Sequence, residues 1–218
     1  MSKTERKDSS VAERHVNWFA LEKACAQPGC PVCAIVADRS RRYIDNMLFE
    51  HVSDRGFRAQ YRESGGFCPD HAKSLDTYRD GLAVAILGVD VLKDALPALK
   101  RRKAHVPKGQ CPACAETERV EREFLGFIAG TTDDDFVSFF TASGGLCLPH
   151  YRTLLSSVKK APDWLVSFQE TKFERLLERA GNFIEFSAWG RQSDFARLSD
   201  ADKVVWKELA LALRGRVD

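Results

Sequence analysis

The sequence contains no long apolar segment and no marked excess of one charge. Its longest mostly apolar stretch, from Leu82 to Leu92, is interrupted by Gly88 and Asp90, whereas a membrane-spanning helix needs about 20 apolar residues in succession. Lysine and arginine together number 33 and aspartate and glutamate 31. A domain built to bind nucleic acid usually has a larger basic excess. The composition therefore points to neither a membrane nor a nucleic-acid partner.

Catalytic and targeting motifs are also missing. The sequence has no glycine-rich phosphate-binding loop, no Gly-x-Ser-x-Gly element and no His-Glu-x-x-His element. Its first residues are polar and charged, without the apolar core of a secretory signal peptide. We therefore expect a cytoplasmic protein with no indicated reaction. Its partner is left open, with a protein favoured over nucleic acid and no membrane contact.

Glycine and proline divide the chain into segments with the apolar periodicity of helices. Alternation of period two, which is typical of strands, is absent. The sequence thus predicts an all-α fold of two similar, metal-pinned helical units followed by C-terminal amphipathic helices. The first unit with its N-terminal helix is expected in 1–104, the second in 105–160 and the extension in 161–218, all in one compact domain. Predicted helices cover 11–26, 33–52, 57–61, 70–78, 82–102, 112–128, a short segment capped at 131–133 and ending at 143, a segment from 149, 162–184 and 199–213, with Pro97 kinking or ending the fifth.

Cysteine is unusually frequent for such a chain, with seven residues. Without a signal peptide, spaced cysteines indicate metal ligands or redox groups more often than disulfides. Six of the seven fall in a motif that occurs twice, Cys-Pro-x-Cys followed by Gly-Gly-x-Cys-x-x-His, with 34 and then 32 residues between the inner cysteines. The first copy comprises Cys30, Cys33, Cys68 and His71, and the second comprises Cys111, Cys114, Cys147 and His150.

These residue types at this spacing predict metal binding. A Cys-x-x-Cys turn can direct two thiolates to one point, and a histidine three residues after a cysteine can face the same point from the first turn of a helix. Paired glycines before the cysteine allow the backbone to bend sharply. Three sulfurs and one nitrogen form a closed tetrahedral set that suits structural zinc. Two copies predict two zinc ions.

Two other chemistries compete with zinc. A [4Fe–4S] cluster held by three cysteines and one histidine would serve electron transfer or redox sensing. A dithiol oxidoreductase would use the Cys-x-x-Cys pairs, but the strand-rich context of that motif is missing. The pairing of ligands is also open, because Cys30 and Cys33 could share an ion with their own repeat or with Cys147 and His150.

Four residues with metal-binding side chains have no counterpart in the repeat. They are predicted to be core or surface residues and not ligands. Cys25 lies beside the apolar face of the first predicted helix, where a buried cysteine behaves as a small hydrophobic residue. The other three are His15, His51 and His105.

The duplicated motif resembles that of an uncharacterised prokaryotic family, with two CPxC boxes, each followed by Gly-(Phe/Leu)-Cys-x-x-His. The resemblance covers Cys30 to about Leu155 and implies that the eight cysteine and histidine residues of the two motif copies are ligands. It implies no reaction, because the family has none assigned.

Overall fold

The fold is all-α, as the sequence predicts. The structure, a computed structural model, describes residues 15–76, 78, 80–188 and 190–215, and every regular element within them is a helix. Among these residues, no helix combines the length and apolar character needed to cross a membrane. The helices are α1 (Val16–Cys25), α2 (Pro31–Phe49), α3 (Arg55–Glu63), α4 (Pro69–Asp76), α5 (Gly81–Lys100), α6 (Pro112–Gly130), α7 (Asp134–Thr141), α8 (Leu148–Ser157), α9 (Asp163–Phe186), α10 (Gln192–Arg197), α11 (Asp200–Lys203) and α12 (Val205–Arg214).

Most predicted helices lie within a few residues of the observed ones, with three differences. Helix α5 continues through Pro97 to Lys100, so of the two outcomes expected at this proline, a kink or an end, the end is not seen. The predicted last helix is two helices, α11 and α12, separated at Val204. Helix α10 has no predicted counterpart. Residues 11–14 of the first predicted helix lie outside the described part of the chain.

Matching helices of the two motif copies begin in the same way. Both α2 and α6 contain 19 residues and start at a proline, which favours the first helical turn. The carboxylate of Asp54 caps α3 by accepting from the Phe57 amide at 2.6 Å, and that of Asp133 caps α7 through Phe136 at 2.8 Å. These parallels agree with an internal duplication, which stays a prediction.

The described residues form two compact units. Unit 1 joins 15–31 to 129–215, and unit 2 comprises Val32–Ile128. The predicted segments 1–104, 105–160 and 161–218 follow motif order instead, and as domain boundaries they stay predictions. In unit 1, α1 packs on α7, where Trp18 meets Phe139 with ring centroids 5.0 Å apart.

The core of unit 2 lies between α2, α3 and α5. Its buried side chains include Ile44, Leu48, Phe57, Tyr61 and Leu87. Two cysteines, Cys68 and Cys114, pack against this core, and Cys111 belongs to it. The apolar core of unit 2 therefore extends to Cys111 and Cys114, the Cys-x-x-Cys pair of the second motif copy.

Candidate metal centres

The first group of candidate ligands, which we call group one, comprises Cys30, Cys33, Cys147 and His150. Their ligand atoms all lie within 4.8 Å of one another. The His150 Nδ1 atom is 3.3 Å from the Cys30 sulfur and 3.2 Å from the Cys147 sulfur. Cys30 directly precedes α2 and Cys33 lies in its first turn, while Cys147 precedes α8 and His150 lies in its first turn. Two helix starts thus supply all four side chains.

Group two comprises Cys68, His71, Cys111 and Cys114 and lies wholly within unit 2. The His71 Nδ1 atom is 3.2 Å from the sulfur of Cys68, 3.4 Å from that of Cys114 and 3.7 Å from that of Cys111. The sulfurs of Cys68 and Cys114 are 3.6 Å apart. As in group one, the cysteine pair comes from the start of a 19-residue helix and the Cys-x-x-His from the start of a short one.

Each group combines one half of the first motif copy with the other half of the second copy. The Cys-x-x-Cys of the first copy meets the Cys-x-x-His of the second, and the reverse holds for the other two halves. All eight residues singled out from the sequence lie in these groups. Of the two pairings that the sequence leaves open, the structure has the one across repeats.

The four residues set aside from the motif lie in neither group. The His15 Nδ1 atom accepts from the Asn17 amide at 3.2 Å and so caps α1. His105 Nε2 is 2.8 Å from a carboxylate oxygen of Asp94. Burial raises the pKa of the Cys25 thiol to about 11, partly offset by a hydrogen bond with Ser143.

The glycine pair before Cys147 is required by close packing. A Cβ atom on Gly144 would lie 2.4 Å from the carbonyl oxygen of Gly29, which is the residue before Cys30. Gly145 has a φ of +60°, and a Cβ there would meet the Gln169 side chain at 2.5 Å. Only glycine lets these two loops approach closely enough for Cys30 and Cys147 to share one centre.

Two polar side chains of α9 form hydrogen bonds with the loop before Cys147, and the repeated motif does not predict them. Gln169 is fully buried; its amide oxygen accepts from the Leu146 amide at 2.7 Å and its nitrogen donates to the Leu146 carbonyl at 3.1 Å. Lys172 donates to the carbonyls of Gly144 and Leu146. Together they hold the loop that directly precedes Cys147. The available sequence signal was a glutamine on the apolar face of a predicted amphipathic helix.

Lys172 also places a positive charge near group one. Burial lowers the pKa of its ammonium, while the neighbouring Cys30, Glu208 and Cys147 act in the opposite direction. A divalent ion with three thiolates and a neutral imidazole carries a net charge of about −1. A lysine beside such a centre would offset that charge.

In group two, burial and the neighbouring thiols together shift the pKa values of the candidate ligands. Burial raises the pKa of the Cys114 thiol to about 12, and the adjacent Cys68 and Cys111 add to the rise. Burial also opposes ionisation of Cys68, but hydrogen bonds from the His71 backbone and the neighbouring thiols leave its pKa lowered. Burial lowers the pKa of His71, which favours the neutral imidazole that a metal requires. Three such thiolates need a cation among them to remain ionised together.

A cavity of about 380 Å³ opens beside group one within unit 1. Cys30, Cys147 and Lys172 line one side of it, and apolar residues of α12 such as Leu211 line another. Two members of group one, Cys30 and Cys147, therefore adjoin this cavity.

Comparison with known proteins places the chain in a family. A model of a family of unknown function, DUF6062, matches residues 18–110. An uncharacterised 23.9 kDa protein in the xynA 3′ region of Caldicellulosiruptor sp. (strain Rt8B.4) is 30% identical over 159 residues, which cover 68% of this chain and 77% of that protein. The chain belongs to the DUF6062 family. No solved structure matches it.

The family model ends one residue before Cys111. It therefore includes Cys30, Cys33, Cys68 and His71, which is half of each group. The other half of each ligand set lies in the following part of the chain. Neither the family nor the relative has a named activity, so the function has to be argued from the site.

Proposed function

We propose that this chain is a cytoplasmic zinc-binding protein in which two Cys3His centres hold the helices in place, and that it acts through protein contacts and not by catalysis. The observation that carries the proposal is the gathering of four ligand atoms within 4.8 Å at each of two places. No two of the seven cysteines are joined in a disulfide, which suits a reducing compartment.

The distances within the groups support a single ion in each. Zinc bonds of about 2.3 Å to sulfur and about 2.0–2.1 Å to nitrogen, at tetrahedral angles, place sulfur and nitrogen about 3.6 Å apart and two sulfurs about 3.8 Å apart. The sulfur–nitrogen distances here are 3.2–3.7 Å and the Cys68–Cys114 sulfur distance is 3.6 Å. A [4Fe–4S] cluster places its own irons and sulfides between the ligands and so needs its thiolates further apart.

The completeness of each set supports a structural role. Catalytic zinc is held by three protein ligands and keeps a fourth position for water or substrate, whereas each group here offers four ligands. Each group also joins the starts of two helices that are distant in sequence. Binding of an ion would therefore contribute directly to folding, as it does in small zinc domains.

Metal analysis of protein purified under anaerobic conditions tests this proposal. We expect a colourless protein with about two zinc ions per chain, as two closed sites require. Zinc content should be the same in a Cys25→Ser variant, because Cys25 lies in neither group. A brown protein that contains iron and acid-labile sulfide would establish the cluster alternative. Protein with free thiols and no metal would refute both.

A further inference from the structure

Helix α5 carries an exposed apolar stripe along one face. Its members are Leu82, Val89, Leu92, Leu96 and Leu99, each between 45% and 70% exposed, together with the exposed Ala85. Their spacing alternates between three and four residues, which is the a/d pattern of a coiled-coil seam. The stripe extends over about 26 Å at 1.5 Å per residue.

The stripe lies on a different face of α5 from the residues that pack into the core of unit 2. Ala83 and Leu87 are buried, and Val84 and Val91 pack against the same core. On this inner side Asp90 also accepts hydrogen bonds from Arg58 at 2.6 and 2.9 Å. The helix is therefore already anchored, and the stripe is a second apolar face. Contiguous exposed apolar surface of this extent is typical of an interaction site.

We propose that two copies of this chain associate through the stripe, with their α5 helices packed antiparallel. In this arrangement Leu82 of one copy lies in a layer with Leu99 of the other, Ala85 with Leu96, and Val89 with Leu92. Each layer pairs an a with a d position, so the seam is complementary to itself. A two-fold axis near the middle of the stripe relates the copies.

Residues beside the seam fit this orientation. Two flanking positions on one side hold Ile86 and Lys93, and antiparallel packing places each opposite the other, so the Lys93 residues of the two copies do not face one another. On the other side Gly88 lies opposite Ala95, and these small residues allow close approach of the helices.

The basic run at the end of α5 distinguishes the two orientations. Lys100, Arg101, Arg102 and Lys103 follow one another there. Parallel helices would bring both runs together at one end of the pair, where they repel. Antiparallel helices separate the two runs by about 30 Å, the length of a 20-residue helix. Charge thus favours the antiparallel pair.

The oligomeric state of the full, metal-loaded chain tests the proposal. Sedimentation equilibrium at micromolar concentration should give twice the 24.5 kDa mass of one chain. Leu92→Glu, in the central layers, should reduce this to the mass of one chain while leaving helical content and metal content unchanged. The matched control is Leu177→Glu, because Leu177 is a 73% exposed leucine on α9, and it should remain dimeric.

Orientation is tested by photo-crosslinking. A photoreactive benzophenone amino acid at position 82 should label the segment around Leu99 of the second copy. A wild-type chain with the mass of one copy would overturn the proposal, whether or not it binds another helix. Dimers that survive Leu92→Glu, or labelling confined to the segment around position 82, would also overturn it.

Discussion

A Cys68→Ser chain should hold one metal ion in place of two, and the thiols that become reactive should be Cys111 and Cys114. The reason is the crossed arrangement of the groups, since Cys68 shares group two with these two cysteines and with His71. Removing one ligand leaves an incomplete set with only two sulfurs. Cys30 and Cys33 should remain protected, because they belong with Cys147 and His150.

Elemental analysis combined with alkylation and peptide mass mapping measures both effects in one sample. Cys147→Ser is the reciprocal variant and should release Cys30 and Cys33 while Cys111 and Cys114 stay protected. Cys25→Ser serves as the control and should keep two ions. Exposure of Cys30 and Cys33 by Cys68→Ser would instead show that each motif copy binds its own ion, contrary to the geometry of the structure.

Gly144→Ala should lower the stability of the protein by about 3 kcal/mol, at the upper end of overpacking effects. The added Cβ would lie 2.4 Å from the Gly29 carbonyl oxygen and 3.0 Å from its carbonyl carbon, and both are backbone atoms that no side-chain rotation can move. The two loops that present Cys30 and Cys147 would have to separate. Metal affinity at group one should therefore fall together with stability.

The midpoint of urea unfolding, with zinc retained, measures the first effect, and competition with a chromogenic chelator measures the second. Gly181→Ala is the matched control in unit 1, since Gly181 is an exposed residue inside α9 with no atom within 4 Å of an added Cβ. This change should raise stability by roughly 0.5–1 kcal/mol, because alanine is the better helix former. Equal effects of the two substitutions would show that the loop contact does not matter.

The candidate ligands could be predicted from the sequence because their signal is local. Two cysteines separated by two residues, or a cysteine and histidine separated by two, fix the geometry of half a site regardless of the rest of the fold. The helices could be read for the same reason, since caps such as Asp133 and Ser199 and the apolar periodicity act within one or two turns.

Which Cys-x-x-Cys pairs with which Cys-x-x-His could not be predicted in this way. Either pairing places two cysteines, a cysteine and a histidine around an ion, so the ligand chemistry is identical. Pairing within a copy closes loops of 34 and 32 residues, whereas pairing across copies closes loops of 39 residues (His71 to Cys111) and 113 residues (Cys33 to Cys147). Chain entropy changes slowly with loop length, so it favours pairing within a copy by only about 1 kcal/mol. Only the path of the helices decides, and that path is set by packing over the whole chain.

The two residues that hold the loop before Cys147 could not be predicted from the sequence for the same reason. Gln169 and Lys172 lie on α9, more than 20 residues beyond the loop whose carbonyls and amide they bind. Gln169 lies on the apolar face of the predicted helix, which indicates burial, but nothing near either residue in sequence shows which loop the two side chains bind. The order of the motifs along the chain also does not predict that 15–31 and 129–215 form one unit.

X-ray absorption at the zinc edge of the purified, metal-loaded chain tests the central claim most directly. The account predicts that each zinc ion has on average three sulfur neighbours at about 2.3 Å and one nitrogen neighbour at about 2.0–2.1 Å. An average below three sulfurs per zinc, or iron with sulfide in place of zinc, would contradict it.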